Sequence, residues 1–348
     1  MLEQPASKPY VDAPILAGMD GVEHWSTEAA SRRLEMLGPA LPVPVPSVRQ
    51  FCGGASNDVW DFGDTFLKVC WRADRGRMLR EARTLSSWPS DIPRASVVDC
   101  GETDELSWVL TRRVPGAAFS DVASELTREV ARDVVSQIAT ILKCLHEWQP
   151  DTLTRRVIGE RPRLDHSSPL SVWASDLVPL PVSQIIVLAE LARSVPFVDS
   201  GLIDALIERI GYLQGADPFS NGEDENVVVH GDASFGNWFV EDGRVTGLMD
   251  FEWVRLGPRD LDLVTPIFVA PYLENLHGES RVPYLEWLEE DYPKLFGATD
   301  LNRRLWLYEI AFFLRGAIWW PPDQPESNLQ PDHHVHALRR LLDGPLPR

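Results

Sequence analysis

The strongest constraint on this chain lies between residues 230 and 252, where a short hairpin is predicted to end in a group of polar side chains. Asp242-Gly243 separates two apolar runs, and this dipeptide between such runs is the strongest short-range signal for a β-hairpin. The register that a two-residue loop sets, continued along both strands, places Asn237 opposite Leu248. Asn237 and Asp250 are therefore expected together at the open end of the hairpin.

Three polar residues of this segment form a set suited to binding a cation and orienting a hydroxyl. Asp232 lies on the loop that leads into the hairpin, so it is expected beside Asn237 and Asp250. Carboxylate and amide oxygens are the ligands that Mg²⁺ prefers, and a third carboxylate beside them can accept a hydroxyl proton. Each residue alone is most often a turn cap, but the joint spacing makes three unrelated caps improbable. The segment therefore points to phosphoryl transfer.

The composition is that of a globular protein. The chain has 348 residues, of which 44% are hydrophobic and 24% charged, enough for one large domain or two lobes. No apolar run is long enough to span a bilayer, and the first residues lack a basic region followed by an apolar core, so a cytoplasmic location is expected. The four cysteines are widely spaced without a C-x-x-C pair, which favours reduced thiols.

The formal net charge of −19 limits the possible partners. An acidic surface repels phosphate backbones and anionic lipids, so neither a nucleic acid nor a membrane is an expected partner. The same field would attract a cationic substrate. Net charge bears more directly on solubility than on partners, so solubility is the favoured explanation of the charge and attraction of a cation the alternative. Nothing in the sequence separates a monomer from a homodimer.

The order of the predicted elements indicates two lobes of different character. Residues 1–46 read as an N-terminal extension with a helix from about Ser26 to Leu37, followed by a Pro-rich connector. Residues 47–115 carry short strand-like runs and one helix near 74–88, and residues 116–348 are mainly helical, with a long amphipathic helix near 126–148. The predicted fold class is therefore α+β, with a small β-rich lobe joined to a large helical lobe. The strand candidates are 48–52, 58–62, 65–71, 95–100 and 106–111.

A second group of candidate residues lies in the small lobe. Gly53-Gly54 opens a turn between two strand candidates, and glycine lets backbone N–H groups approach phosphates closely. Lys68 follows in a strand and Glu81 in the next helix. A strand lysine paired with a helix glutamate beneath a glycine-rich loop is the arrangement that fixes α- and β-phosphates in protein-kinase-like enzymes. Each feature taken alone also has a purely structural explanation: the two glycines as an ordinary turn, Lys68 as a residue of an edge strand and Glu81 as an exposed helix residue.

Across roughly residues 48–275 the chain resembles the aminoglycoside phosphotransferase and choline kinase-like family. The resemblance rests on the order and spacing of eight short motifs: Gly53-Gly54-x-x-Asn57-x-Val59, Leu67-Lys68-Val69, Arg80-Glu81-Ala82, Val114-Pro115-Gly116, Leu145-His146, His230-Gly231-Asp232-x-x-x-x-Asn237, Leu248-Met249-Asp250-Phe251-Glu252 and Gly257-x-x-x-x-Asp262-Leu263. It implies a bilobal protein-kinase-like fold that binds ATP or GTP between its lobes.

The resemblance also implies a role for each matching residue. Asp232 would be the catalytic base, Asn237 and Asp250 the Mg²⁺ ligands, and Asp262 a brace for the catalytic loop. Lys68 would hold the phosphates with Glu81 as its partner. The other nucleotide contacts would come from the glycine-rich loop and from the backbone near the end of the sheet, at Gly53, Gly54, Ser56, Asn57, Leu110 and Arg112.

The acceptor is the least determined part of the expectation. The resemblance favours a hydroxyl of an aminoglycoside or a similar cationic, polyhydroxylated antibiotic, with a kinase for choline, a sugar or an amino sugar as the alternative. A catalytically inactive nucleotide-binding scaffold is the alternative of another class. Carboxylates and indole rings of the helical lobe are candidates for the acceptor site, without any being assigned: Glu252, Glu274, Glu286, Glu289, Glu290, Asp291, Glu309, Trp253, Trp319 and Trp320.

Overall fold

The small lobe is built on an antiparallel sheet. Successive side chains along its strands point to opposite faces, and each face carries an apolar cluster. In this computed structural model the described residues are 26–53, 57–71, 76–159, 181–217, 227–267, 282–331 and 333–344. The sheet has the order β1-β2-β3-β5-β4. Its strands lie close to the five predicted segments: β1 (Gln50–Gly53), β2 (Asp58–Asp61), β3 (Thr65–Cys70), β4 (Val97–Glu102) and β5 (Ser107–Arg112).

The alternation along β3 decides which way its lysine points. Leu67 and Val69 pack in one apolar cluster with helix α1 (Thr27–Leu37), whereas Cys70 packs on the opposite face with helix α2 (Gly76–Ser87). Because successive side chains of a strand point to opposite faces, Lys68 lies on the α2 side of the sheet. The sequence of β3 therefore aims its one charged side chain at the helix that carries Glu81.

Helix α1 belongs to the core of the small lobe. Ser26 caps its first turn by accepting from the Ala29 N–H at 3.1 Å, so the helix begins where the sequence predicted it. Arg33 makes two bonds to Asp58 of β2, at 2.6 and 2.7 Å, and Leu34 is buried beneath the sheet. Residues 27–37 thus pack with the small lobe, while the boundary drawn at residue 46 and that at 115 stay predictions.

The large lobe consists mainly of helices around two apolar clusters. Its longest helix begins after Thr127, which caps the first turn by accepting from the Val130 N–H at 3.3 Å, and it confirms the amphipathic helix predicted near 126–148. Among the residues described, no helix has the length and apolar character to cross a bilayer. Within the described residues the α-helices of this lobe are α3 (Phe119–Val122), α4 (Arg128–Glu147), α5 (Thr152–Gly159), α6 (Val182–Arg193), α7 (Ser200–Tyr212), α8 (Tyr284–Asp291), α9 (Leu301–Trp319) and α10 (His334–Asp343).

Two small sheets hold the segment between residues 227 and 257. Strands β6 (Ala117–Ala118), β8 (Trp238–Glu241) and β9 (Arg244–Leu248) form one, and β7 (Val227–Val229) pairs with β10 (Arg255–Gly257) in the other. The strands before and after the polar segment, β7 and β10, are thus paired with each other, which fixes both ends of the segment.

The predicted hairpin is present, but its register was wrong beyond the second pair of residues. The pairs nearest the turn form as expected, whereas Leu248 lies opposite Trp238 and not opposite Asn237. Thr246 is the extra residue of a β-bulge, and its hydroxyl donates to the Pro115 carbonyl at 2.6 Å. The bulge shifts the register by one residue, yet Asn237 and Asp250 still flank the open end, because the Met249 N–H donates to the Asn237 carbonyl at 2.8 Å.

Candidate functional site

A buried carboxylate fixes the backbone of the loop that carries Asp232. Asp262 accepts from the backbone N–H groups of His230 at 3.0 Å and Gly231 at 2.7 Å. The His146 ring is also in hydrogen-bond contact with Asp262, at 2.9 Å. Burial alone would raise the pKa of Asp262, but the hydrogen bonds from His146 and His230 hold it below its usual value. Asp262 therefore stays ionised and braces the loop, as the resemblance implied.

His230 ties the two arms of the segment together. Its Nδ1 accepts from the Asp232 N–H at 3.3 Å, so its Nε2 is the atom that donates to the Met249 carbonyl at 2.8 Å. Burial lowers the pKa of His230, which keeps the ring neutral and consistent with this tautomer. His230 is thus a structural residue that holds the two arms together.

Asp232 and Asn237 form the first half of the polar group. The Asn237 amide donates from Nδ2 to the Asp232 carbonyl at 2.8 Å and to its carboxylate at 3.2 Å. Burial, followed by the charge of Asp250, raises the pKa of Asp232 to about 7. Since Nδ2 is committed to Asp232, the amide oxygen is the atom of Asn237 left for another ligand.

Asp250 forms the second half, directly after β9. Its backbone is left-handed, with φ +63°, a conformation that aspartate tolerates better than most residues. Its carboxylate accepts from Lys68 Nζ at 2.6 Å. The same Nζ lies 3.1 Å from Glu81 and 3.7 Å from Glu252. Burial would lower the pKa of Lys68, but the three carboxylates override it and raise the pKa well above its ordinary value.

Glu252 connects the two lobes, a role that sequence reasoning missed. It is only 5% exposed, and it accepts from the Asn57 amide of the glycine-rich turn at 2.7 Å. The Arg77 guanidinium, from α2, lies 3.7 Å away and stacks over Trp253, 4.5 Å from its ring centroid. The only signal in the sequence is that Glu252 stands between two aromatic residues, which favours burial. Glu252 therefore belongs to the interlobe contact rather than to an acceptor surface.

The predicted nucleotide-binding residues fall into three groups. Lys68, Glu81 and Asn57 are brought together with Asp250 and Glu252, as described above. Gly53 ends β1 with φ +82° and has no atom within 4 Å of the place where a Cβ would be, while Gly54 and Ser56 lie outside the described residues. These nucleotide roles stay predictions.

The two predicted residues at the end of the sheet are less favourably placed. Leu110 is a central residue of β5, paired with Leu67 and Asp99, and its side chain lies in the apolar cluster beneath α1. The Arg112 N–H already donates to the Ser96 carbonyl at 2.8 Å. The purine contacts expected of Leu110 and Arg112 stay predictions.

The candidate acceptor residues are scattered. Trp253 and Trp319 are buried core rings at 4% and 6% exposure, which removes them as open stacking surfaces, while Trp320 is half-buried. Glu290 and Asp291 pair with Arg132. Glu274 lies outside the described residues.

The donor set fits a hard divalent cation. The carboxylate oxygens of Glu81, Asp250 and Glu252 lie within 4.8 Å of one another, and the Lys68 ammonium stands among them. Asn237 offers an amide oxygen, since its Nδ2 donates to Asp232, and its backbone carbonyl accepts from Met249, the residue before Asp250. Oxygen donors of this kind suit Mg²⁺ rather than a soft metal. The residues that could hold it are Asp250 and Asn237. The Asp250 side chain is 33% exposed and open to a bound ion, whereas those of Glu81 and Glu252 are 5% and 1% exposed.

Gly231 offers a test of how tightly this loop is held. Its φ is +80°, and a Cβ there would lie 2.5 Å from the Trp253 carbonyl. Gly231→Ala should combine backbone strain with a steric clash and lower the free energy of unfolding by about 2–4 kcal/mol. Urea unfolding measures this. The matched control is Gly63→Ala, where φ is +88° and no atom lies within 4 Å, so that only strain of about 1 kcal/mol is expected. Equal losses in both variants would contradict the close contact.

The fold and the site together define a class. A five-stranded lobe with a lysine–glutamate pair, joined to a helical lobe with a braced aspartate loop, is the architecture of protein-kinase-like phosphotransferases. The phosphotransferase enzyme family matches residues 47–297. The chain belongs to this family and is a small-molecule phosphotransferase.

Solved structures agree on the fold. A thermostable variant of aminoglycoside phosphotransferase APH(4)-Ia, in ternary complex with ADP and hygromycin B, is 16% identical, with TM-score 0.55, over 91% of this chain and 98% of that one. The streptomycin-ATP-APH(2")-IIa ternary complex is 15% identical, with TM-score 0.54, over 92% and 96%. An aminoglycoside-3'-phosphotransferase of type VIII is 23% identical, with TM-score 0.50, over 81% and 97%. At these identities the likeness establishes the architecture.

Proposed function

We propose that this protein transfers the γ-phosphate of ATP or GTP to a hydroxyl group of an aminoglycoside or a similar cationic, polyhydroxylated compound. The observation that carries the proposal is that the carboxylates of Glu81 and Asp250 both lie within 3.1 Å of the Lys68 ammonium. The Asp232–Asn237 pair lies in the same segment as Asp250. Each of these residues has a part in phosphoryl transfer, and a degenerate scaffold would have no need to keep all of them.

The donor side of the reaction depends on Lys68 and Asp250. In the proposal the Lys68 ammonium binds α- and β-phosphate oxygens, and Glu81 keeps that ammonium on the α2 side of the sheet. Asp250 and Asn237 would hold Mg²⁺, which neutralises the phosphate charge that develops during transfer. Asn57 contributes by fixing the base of the glycine-rich turn to Glu252.

The acceptor side depends on Asp232. Its carboxylate is braced from behind by the Asp262 hydrogen bonds to the loop backbone and from the side by the Asn237 amide. In the proposal Asp232 orients the acceptor hydroxyl and receives its proton. Burial raises the pKa of Asp232, which supports this role because a more basic carboxylate accepts a proton more readily.

The charge of the chain supports a cationic acceptor. A formal charge of −19 raises the local concentration of cations around the protein, an effect that weakens with salt. Solved relatives of this fold bind hygromycin B and streptomycin. Resistance to an antibiotic and metabolism of an amino sugar are both compatible with this chemistry, and a neutral sugar or choline kinase is the alternative that the experiment must separate.

The deciding experiment is a coupled assay of nucleoside diphosphate release. ATP and GTP are each tested with Mg²⁺ against aminoglycosides, macrolides, amino sugars, neutral sugars and choline. Release that depends on an aminoglycoside and rises when salt is lowered would support the proposal. Release with choline or a neutral sugar alone would move the protein to the metabolite class, and tight nucleotide binding without release for any acceptor would favour the scaffold.

Removal of the metal should separate binding from catalysis. With excess EDTA we expect acceptor-dependent release to fall to background, and the rise in melting temperature caused by ATP to shrink, because phosphate charge would be left facing Asp250. Restoring Mg²⁺ should restore both. A nucleotide-induced shift in melting temperature that is the same with and without Mg²⁺ would contradict a metal site at Asp250 and Asn237.

A further inference from the structure

A cavity lies away from the proposed catalytic site, beside helix α2. It is a half-open groove with a volume of about 530 Å³, bordered by α2, the edge strand β4 and helix α5 of the large lobe. This volume is in the range of small-molecule sites in proteins. The lining residues are Ala82, Arg83, Ser86, Ser87, Val97, Cys100, Leu153, Thr154 and Val157.

The lining is apolar on the inside and has one cation at the edge. Ala82 and Val157 are buried, and Val97 extends the wall on β4. Leu153 is 72% exposed, an apolar side chain at the mouth of an apolar cavity rather than a solvated residue on a polar surface. Arg83 is exposed, and within the described part of the chain it has no ion-pair partner. A molecule with an apolar body and an anionic head would match both features.

The cavity is coupled to the proposed catalytic site through a single helix. Ala82 and Arg83 line it, while the preceding residue, Glu81, lies 3.1 Å from the Lys68 ammonium. Because α2 is one rigid element, the wall of the cavity and the Lys68–Glu81 distance move together. The cavity is open in the arrangement that has this ion pair formed.

We propose that the space between α2, β4 and α5 is a binding site for a small amphiphile with an anionic head, and that its occupant stabilises the arrangement in which Glu81 holds Lys68. The Arg83 guanidinium receives the head group, and the apolar body lies against Val97, Leu153 and Val157. A ligand that binds this arrangement must favour it. By reciprocity, the amphiphile and the nucleotide raise each other's affinity.

The test uses decanoate as the probe, below its critical micelle concentration, with the full-length protein. Titration calorimetry should detect decanoate binding, with decyltrimethylammonium binding at least ten-fold more weakly. Bound decanoate should slow the reaction of Cys100 with N-ethylmaleimide, followed by peptide mass spectrometry. The control thiol is Cys144, which is exposed on α4 and should react at an unchanged rate. Saturating decanoate should lower the Kd of MgATP about five-fold or more.

Two variants make the result specific. Leu153→Asp places a charge at the mouth of the cavity and should abolish both decanoate binding and the protection of Cys100. Val48→Asp makes the same change at a residue that is 86% exposed and outside the cavity, and should bind decanoate as the wild type does. The site is refuted if decanoate protects Cys100 and Cys144 equally, or if Leu153→Asp binds it normally. An unchanged Kd of MgATP in the presence of bound decanoate would overturn the coupling. None of these readouts requires an acceptor, so they stand apart from the proposed transfer reaction.

Discussion

Asp232→Asn should lower kcat by a factor of about 10²–10⁴, the usual contribution of a positioned general base, while the Kd of MgATP changes less than about three-fold. The substitution keeps the shape of the side chain and an oxygen for the bond from Asn237, which lies 3.2 Å away. It removes the ability to accept a proton. Single-turnover kinetics with the identified acceptor, together with nucleotide titration, separate the two effects.

The control for this prediction is Asp242→Asn. Asp242 is an exposed residue in the turn of the same hairpin, with φ +48°, a left-handed conformation that asparagine also adopts readily. It should leave kcat and nucleotide affinity unchanged. An Asp232→Asn enzyme with at least a tenth of wild-type kcat would show that Asp232 is not the proton acceptor.

The site was predictable where its residues are close in sequence. The spacing of Asp232, Asn237 and Asp250 around an Asp-Gly turn indicated that they meet, and the Asn237–Asp232 and Met249–Asn237 hydrogen bonds agree. The bulge at Thr246 was not predictable, because its cause lies in another segment. The Thr246 hydroxyl bonds to Pro115, which is 131 residues away. A local pattern determines the turn, and a distant contact alters the register.

In the small lobe, too, local patterns predicted some features, whereas contacts between distant residues could not be predicted. The alternation of Leu67, Lys68 and Val69 predicts that the lysine lies opposite the two apolar side chains, and the pair with Glu81 follows from its helix. The bond between Asn57 and Glu252 joins residues 195 apart. No periodicity connects such residues, since a contact between lobes depends on how two independently folded surfaces meet.

The acceptor surface was the part that sequence could least define. Acidic residues are common on exposed helices of a chain with charge −19, so their presence identifies no site. Glu252 was considered for that surface and lies instead in the interlobe contact, because its burial depends on Asn57 and Arg77. Burial, which sequence predicts poorly for single polar residues, decides between the two roles.

Asp250→Asn should remove the dependence of nucleotide binding on Mg²⁺. Asparagine tolerates the left-handed backbone at this position, where φ is +63°, and its amide oxygen can still accept from Lys68, so the fold is expected to be kept. The lost charge weakens a hard-cation site, because Mg²⁺ prefers a carboxylate to an amide. The Kd of ATP with Mg²⁺ should rise by about 10–100-fold, the scale typical of weakened metal sites.

Titrations of ATP with Mg²⁺ and with EDTA, made for both proteins, give the decisive comparison. For the wild type we expect a large ratio between the two Kd values, and for Asp250→Asn a ratio close to one. Asp242→Asn serves again as the matched control, with the wild-type ratio, and thermal unfolding without nucleotide verifies that each variant is folded. If Asp250→Asn keeps the wild-type ratio, the metal is not held by Asp250. The Lys68–Asp250 contact at 2.6 Å would then be a structural ion pair between the lobes rather than one half of a nucleotide site.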